Sequence, residues 1–378
     1  MKTERRRRKA LPDNRIRINE AESPGFAQSY ELKEKKRFSL DKERRHVIYC
    51  GVGMFLVLIL SFLFVGDMTD QNMSVAYAGH YGMRRINDFF DAVTGSHTQS
   101  DIIIFLCQFL CPMFCGIALA SSGACFQGVF HNPMASPTML GVESGGTLGM
   151  SIYVMFFGAT TYSQLLDMDY EGYASEYHAM DALQKYGQYF AAFIGCLVVV
   201  FSIVVITKIT GRSRIRTIPL LIGGSVFTTM VNSFLTAYEY YMVKSGKNEM
   251  IVNRVQQSMS GKFQNILQPM MMVYLAIPIL ISFILLLLFA GRLNIIAIGD
   301  EEARTMGVSV EKDRNVVLVL STLLTAAVVA FCGTIGFVGL IIPHVARHAA
   351  GSDFRNLVPA AAFLGGIFMI LAFDIYYM

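Results

Sequence analysis

Residues 296–315 read IAIGDEEARTMGVSVEKDRN. The apolar run ISFILLLLFAG (281–291) ends just before this stretch, and VVLVLSTLLTAAVVAFCG (316–333) begins right after it. Runs of this grade suit helices that cross about 30 Å of hydrocarbon. In lipid such runs must be helical, because every backbone polar group needs an internal partner. The charged stretch therefore lies in water between two spans. Gly299 can end the first helix with a left-handed cap. Asp300, Glu301 and Glu302 then fill a first turn, where negative charge favours the helix dipole. Ala303, Arg304, Thr305 and Met306 continue the turn, and Gly307 can close it. The pattern predicts a two-turn helix whose small apolar edge, Ala303 and Met306, is rimmed by charge. That is the shape of a docking knob.

The bulk composition agrees with a membrane chain. Of 378 residues, 53% are hydrophobic and only 16% charged, which excludes an ordinary soluble domain. Apolar windows predict nine transmembrane helices near 47–65, 102–130, 139–158, 189–207, 217–238, 265–290, 315–332, 335–350 and 357–378. The fold class is all-α polytopic. Residues 1–46 form a basic arm with 15 Lys/Arg against 8 Asp/Glu, expected to be disordered, with 47–378 as the transmembrane domain. RRRRK at 5–9 suits anionic membrane lipid, and no nucleic-acid partner is expected. With the N-terminus inside, 25 of the 32 Lys/Arg fall in inner segments, as the positive-inside rule requires. This places a multi-pass chain in the cell membrane with residues 291–314 in the cytoplasm. The outer stretches 67–101 and 159–188 hold ten Asp/Glu against three Lys/Arg.

Two interruptions stand out. In FQGVFHNPMASPTMLGVESGGTLG (126–149), Pro133 and Pro137 each remove a backbone donor, and four glycines follow. Irregular backbone at membrane depth survives only when buried or lining a cavity. In GTIGFVGLIIPHVARH (333–348), Gly333, Gly336 and Gly339 recur every three residues before Pro343. His344 and His348 stand at metal-pair spacing, but the sequence offers no third ligand, and no metal site is expected. Cys107, Cys111 and Cys115 share one helix face and read as packing residues, since no His, Asp or Glu joins them at ligand spacing. No G-x-x-x-x-G-K-[ST] phosphate loop occurs, so the chain is expected to hydrolyse no ATP.

LNIIAIGDEEARTMGVSV resembles the coupling segment of FecCD-type ABC-transporter permeases, a BtuC-like group. QGVFHNPMASPTMLGVESGGTLG resembles that family's Q-G-x-x-x-N-P-L-A-x-P-x-x-L-G-x-x-x-G-A-x-x-G, and GTIGFVGLIIPHVARHAAGSDFRNLVP its G-x-I-G-F-V-G-L-x-x-P-H-x-x-R-x-x-x-G-x-D-x-R. The three motifs fall in the family's order between about 120 and 375. The resemblance implies a ten-helix permease bundle paired with a second copy or a sister permease. It also implies cytoplasmic ABC ATPases that use ATP and Mg, with no cofactor on this chain. An extracellular binding protein would deliver an iron-siderophore, haem or cobalamin. By the same resemblance, Gly299, Asp300, Glu301, Glu302, Ala303, Arg304 and Gly307 form the ATPase-coupling helix. Asn132, Pro133, Pro137 and Gly141 shape a bend beside the pathway, and Arg216 and Thr217 narrow its cytoplasmic side. Gly336, Phe337, Gly339, Pro343, His344 and Arg347 form a packed eighth segment.

The chain departs from the family at its outer face. The R-L-P-R pattern is replaced by Phe105, Leu106, Cys107 and Gln108, and the arginine of D-x-x-x-R after Asp374 by Met378. The family's tenth helix is expected to be missing. Two other readings remain open: a secondary transporter, and an intramembrane enzyme. Both require ionisable residues at the membrane midplane, which are nearly absent here.

Overall fold

A computed structural model describes residues 43–61, 99–154, 156, 182–210, 217–244 and 269–377. Among these the chain forms ten α-helices and no strand. They are α1 (Glu43–Ser61), α2 (Gln99–Phe130), α3 (Val142–Tyr153), α4 (Ala182–Thr210) and α5 (Thr217–Lys244). There follow α6 (Pro269–Ile296), α7 (Asp300–Thr305), α8 (Val310–Cys332), α9 (Val338–Ala350) and α10 (Phe354–Tyr377). Helices α1, α2, α6, α8 and α10 are each long and apolar enough to cross a membrane. The chain is an all-α polytopic membrane protein.

Burial sorts the spans. The apolar windows of α2 and α8 are 83% and 78% buried, against 6% for α1 and 28% for α6, so α2 and α8 form the centre. Lipid offers no hydrophobic drive to bring helices together, so close packing relies on small residues. On α2, a Cβ at Gly116 would collide with the Gly365 backbone of α10, and one at Gly123 with Gly339 O of α9. Peripheral α6 exposes Ile277, Ile281, Ile284 and Leu288, a face suited to lipid tails. Helix α1 is held to α10 at both ends. Asn356 Nδ2 donates to Glu43 Oε2 at 3.3 Å, and Ser61 Oγ donates to Asp374 Oδ1 at 2.7 Å.

The start of α1 and the length of the predicted eighth span differ from the sequence expectation. Residues 43–46 of the predicted arm are already helical in α1, while the arm's residues 1–42 lie outside the described residues. The acidic stretch 159–181 lies outside them too. The predicted eighth span is the 13-residue α9, about 20 Å long at 1.5 Å per residue. That is too short for about 30 Å of hydrocarbon. The shortening arises from a backbone break, in which Gly333 (φ 78°) and Phe337 (φ 67°) both take the left-handed region.

Candidate functional site

Helix α7 projects at one end of the bundle, between α6 and α8. Gly299, at φ 149° and ψ 153°, turns the chain out of α6, and its carbonyl accepts the Ala303 N–H at 3.0 Å. At the other end Gly307 takes φ 79°. There the Gly307 N–H reaches Arg304 O at 3.0 Å and the Val308 N–H reaches Ala303 O at 3.2 Å. This is the Schellman pairing, which satisfies the last carbonyls of the helix. Gly307 closes α7 as the sequence predicts, whereas Gly299 is not the left-handed cap of the preceding helix: α6 ends at Ile296, and Gly299 serves as the N-cap of α7.

The orientation of α7 corrects one expectation. Ala303 does not lie on the exposed edge. It is fully buried and packs with Ile296 and Val310 in a small core of its own. The apolar tip is instead Met306, 58% exposed, together with Ile298, 60% exposed. Glu301, Glu302 and Arg304 are exposed around it. The knob is therefore anchored through its middle and offers its two flanks.

Ion pairs fix the knob to α8. Arg314 Nη2 donates to Asp300 Oδ1 at 2.6 Å. Arg292 Nη1 donates to Asp313 Oδ1 at 3.0 Å, tying the last turns of α6 to α8. Arg304 Nη2 and Glu311 Oε1 lie 3.5 Å apart at the surface. Asn294 extends the frame to α10. Its Nδ2 donates to Asp353 Oδ1 at 2.6 Å, and its Oδ1 accepts the Phe354 N–H at 2.8 Å.

The bend after α2 meets this frame through a residue that the sequence reading missed. His131, at φ 50°, places Nε2 2.9 Å from Ile296 O in the last turn of α6. A carbonyl only accepts, so Nε2 is the donor. Asn132 Oδ1 accepts the Met134 N–H at 2.9 Å, an Asx-type turn. Pro137 starts a short 3-10 turn (Pro137–Leu140), which Gly141 ends at φ 73°. That turn abuts α5, where a Cβ at Gly141 would lie 2.9 Å from Thr228 Oγ1. Asn132, Pro133, Pro137 and Gly141 thus share one bend, joined to α6 on one side and to α5 on the other. Arg216 lies outside the described residues, and Thr217 is the first residue of α5.

Helix α5 carries a second feature that the sequence reading did not single out. Thr229, Asn232, Ser233, Thr236, Ala237 and Tyr240 line an open cavity of about 660 Å³. Thr229, Ser233 and Thr236 each donate to the carbonyl four residues earlier, at 2.8–2.9 Å. The hydroxyl protons are thereby satisfied within the helix while each oxygen keeps acceptor capacity toward the cavity. The available signal was hydroxyl residues recurring at helical spacing from Ser225 to Thr236 in an otherwise apolar helix.

The segment expected to be packed around α9 divides in two. Gly339 and Pro343 are packed as expected, Gly339 against α2 and Pro343 inside α9. Arg347 Nη2 donates to Gln127 Oε1 at 3.1 Å, and Gln127 Nε2 donates to Leu340 O at 3.2 Å. Gly336 and Phe337 are not packed. A Cβ at Gly336 would meet nothing within 4 Å, and Phe337 is 77% exposed. The backbone break turns them out of the bundle. His344, also expected to be packed, is exposed: it and His348 stand with ring centroids 5.2 Å apart on the outer face of α9.

Comparisons with known proteins agree with this geometry. Residues 55–377 match the model of the FecCD transport family. The chain is 32% identical over 258 residues to the cobalamin import system permease protein BtuC of Halobacterium salinarum. That match covers 68% of this chain and 61% of the relative, so the chain spans less than two thirds of that relative's length. It is 26% identical over 338 residues to the iron(3+)-hydroxamate import system permease protein FhuG of Bacillus subtilis, covering 88% of this chain and 89% of the relative. Among solved structures, a metal-chelate type ABC transporter in an inward-facing conformation superposes with a TM-score of 0.64 at 21% identity. That likeness covers 88% of this chain and 90% of the other, and it shows the shared fold. With the family model spanning most of the sequence, the chain belongs to the FecCD transport family as an all-α ABC-type permease.

Proposed function

We propose that this chain is the membrane subunit of an ATP-driven importer that moves an iron-siderophore complex into the cytoplasm, with haem and cobalamin as the neighbouring substrate classes. The observation that carries the reading is α7. A six-residue helix is capped at both ends, held to α8 by Arg314, and left with Ile298 and Met306 exposed beside charge. Such a rigid knob transmits a push without deforming. Its partner is a cytoplasmic cassette ATPase, which binds the ATP and Mg. The polar face of α5 is half of a translocation pathway that a second permease copy or a sister permease completes. A binding protein delivers the complex at the opposite end of the bundle. The N-terminus and α7 then share the cytoplasmic side, a placement that the Lys/Arg distribution supports.

The test is reconstitution in liposomes with a cassette ATPase and a binding protein. Uptake of radiolabelled iron-siderophore should require all three components and ATP. Uptake driven by a proton or sodium gradient without the ATPase would overturn the reading.

A further inference from the structure

The sequence places Cys111 and Cys115 one turn apart on α2. The fold adds a third thiol from 217 residues away, Cys332, the last residue of α8. The Sγ atoms of Cys115 and Cys332 are 3.1 Å apart, and those of Cys111 and Cys332 are 3.9 Å apart. All three lie within 4.8 Å of one another and are 0–2% exposed. No other His, Cys, Asp or Glu belongs to the group among the described residues. The cluster lies far from α7, at the end of α8 where Gly333 turns the chain.

We infer that Cys111, Cys115 and Cys332 form a binding site for one soft, monovalent d10 cation of the Cu(I) class. Metal–thiolate bonds of about 2.3 Å put three sulfurs around one ion about 4 Å apart, close to the spacing observed. Only the Cys115–Cys332 contact has to widen. A purely sulfur donor set selects Cu(I) over harder ions. Structural zinc takes four ligands, and this group offers three. Each sulfur that coordinates as thiolate releases one proton to water, and no atom changes oxidation state. The bound ion would fasten the outer end of α8 to α2. This inference does not rest on the importer reading, and its test involves neither ATPase nor substrate.

The experiment uses the full chain, expressed in copper-supplemented cells and purified anaerobically in detergent. After challenge with a Cu(I) chelator, wild type should keep about one copper per chain. X-ray absorption should show sulfur ligands alone. Cys115→Ser and Cys332→Ser should each lower retained copper at least tenfold, while Cys50→Ser, on peripheral α1, should match wild type. Should a serine variant fail to fold, the ligand set of the wild-type copper decides the matter. Wild type retaining no more copper than Cys332→Ser would overturn the inference. So would nitrogen or oxygen coordination, or a Cys115–Cys332 disulfide in the anaerobically purified protein.

Discussion

Arg314 and Asp300 meet at 2.6 Å, and the pair joins the first residue of the projecting helix to the second turn of α8. The Arg314 side chain is only 9% exposed, whereas that of Asp300 is 42% exposed. The arginine is therefore the anchor and the carboxylate the attachment point. Arg314→Leu leaves Asp300 free to hydrate, so the local cost should be modest, about 1–2 kcal/mol after solvent screening. The chain should still insert in membranes and run as a monodisperse species in detergent. Its affinity for the cassette ATPase should fall several-fold, as read by co-purification at graded ATPase concentration.

Gly307 separates backbone conformation from crowding. Its φ is 79°, and a Cβ added there meets no atom within 4 Å. Gly307→Val should therefore cost about 1–2 kcal/mol through the left-handed backbone alone and displace α7. Gly307→Asn, which tolerates that region, should recover most of the lost ATPase binding. Equal loss in both variants would show that something other than the cap matters.

Two glycines of similar appearance in the sequence should respond oppositely. Gly123→Ala drives a Cβ into the Gly339 backbone, so α9 must shift away from α2. Gly336→Ala enters open space. Thermal denaturation in detergent should show a clear drop for the first and little change for the second.

His131→Ala removes the donor at Ile296 O and with it the direct tie between the bend and the turn before α7. ATP turnover by the reconstituted complex should stay near wild type while substrate uptake falls several-fold. Parallel loss of both would place His131 in assembly rather than in transmission.

The sequence reveals α7 because its signals are local: glycine, three acids, glycine, all within nine residues. The bend at 131–141 is equally legible, since proline and glycine act on their own backbone. The facing of Ala303 is not local. It depends on Ile296 and Val310, which meet only when α6 and α8 lie side by side. The same holds for Cys332, which joins the α2 cysteines through helix packing that no spacing rule encodes. The shortness of α9 is hidden for another reason. An apolar window cannot distinguish a full span from a half-length helix preceded by a left-handed break at Gly333 and Phe337.

The account turns on α7 as the surface that receives a cassette ATPase. The most direct measurement is the dissociation constant of that ATPase from the liposome-embedded chain, comparing wild type with the double variant Ile298→Asp, Met306→Asp. Both side chains are exposed and neither supports the fold, so insertion should be unaffected. The account predicts at least a tenfold weaker complex, about 1.4 kcal/mol, and a matching loss of ATP-dependent uptake. An unchanged dissociation constant, with the variant correctly inserted, would contradict it.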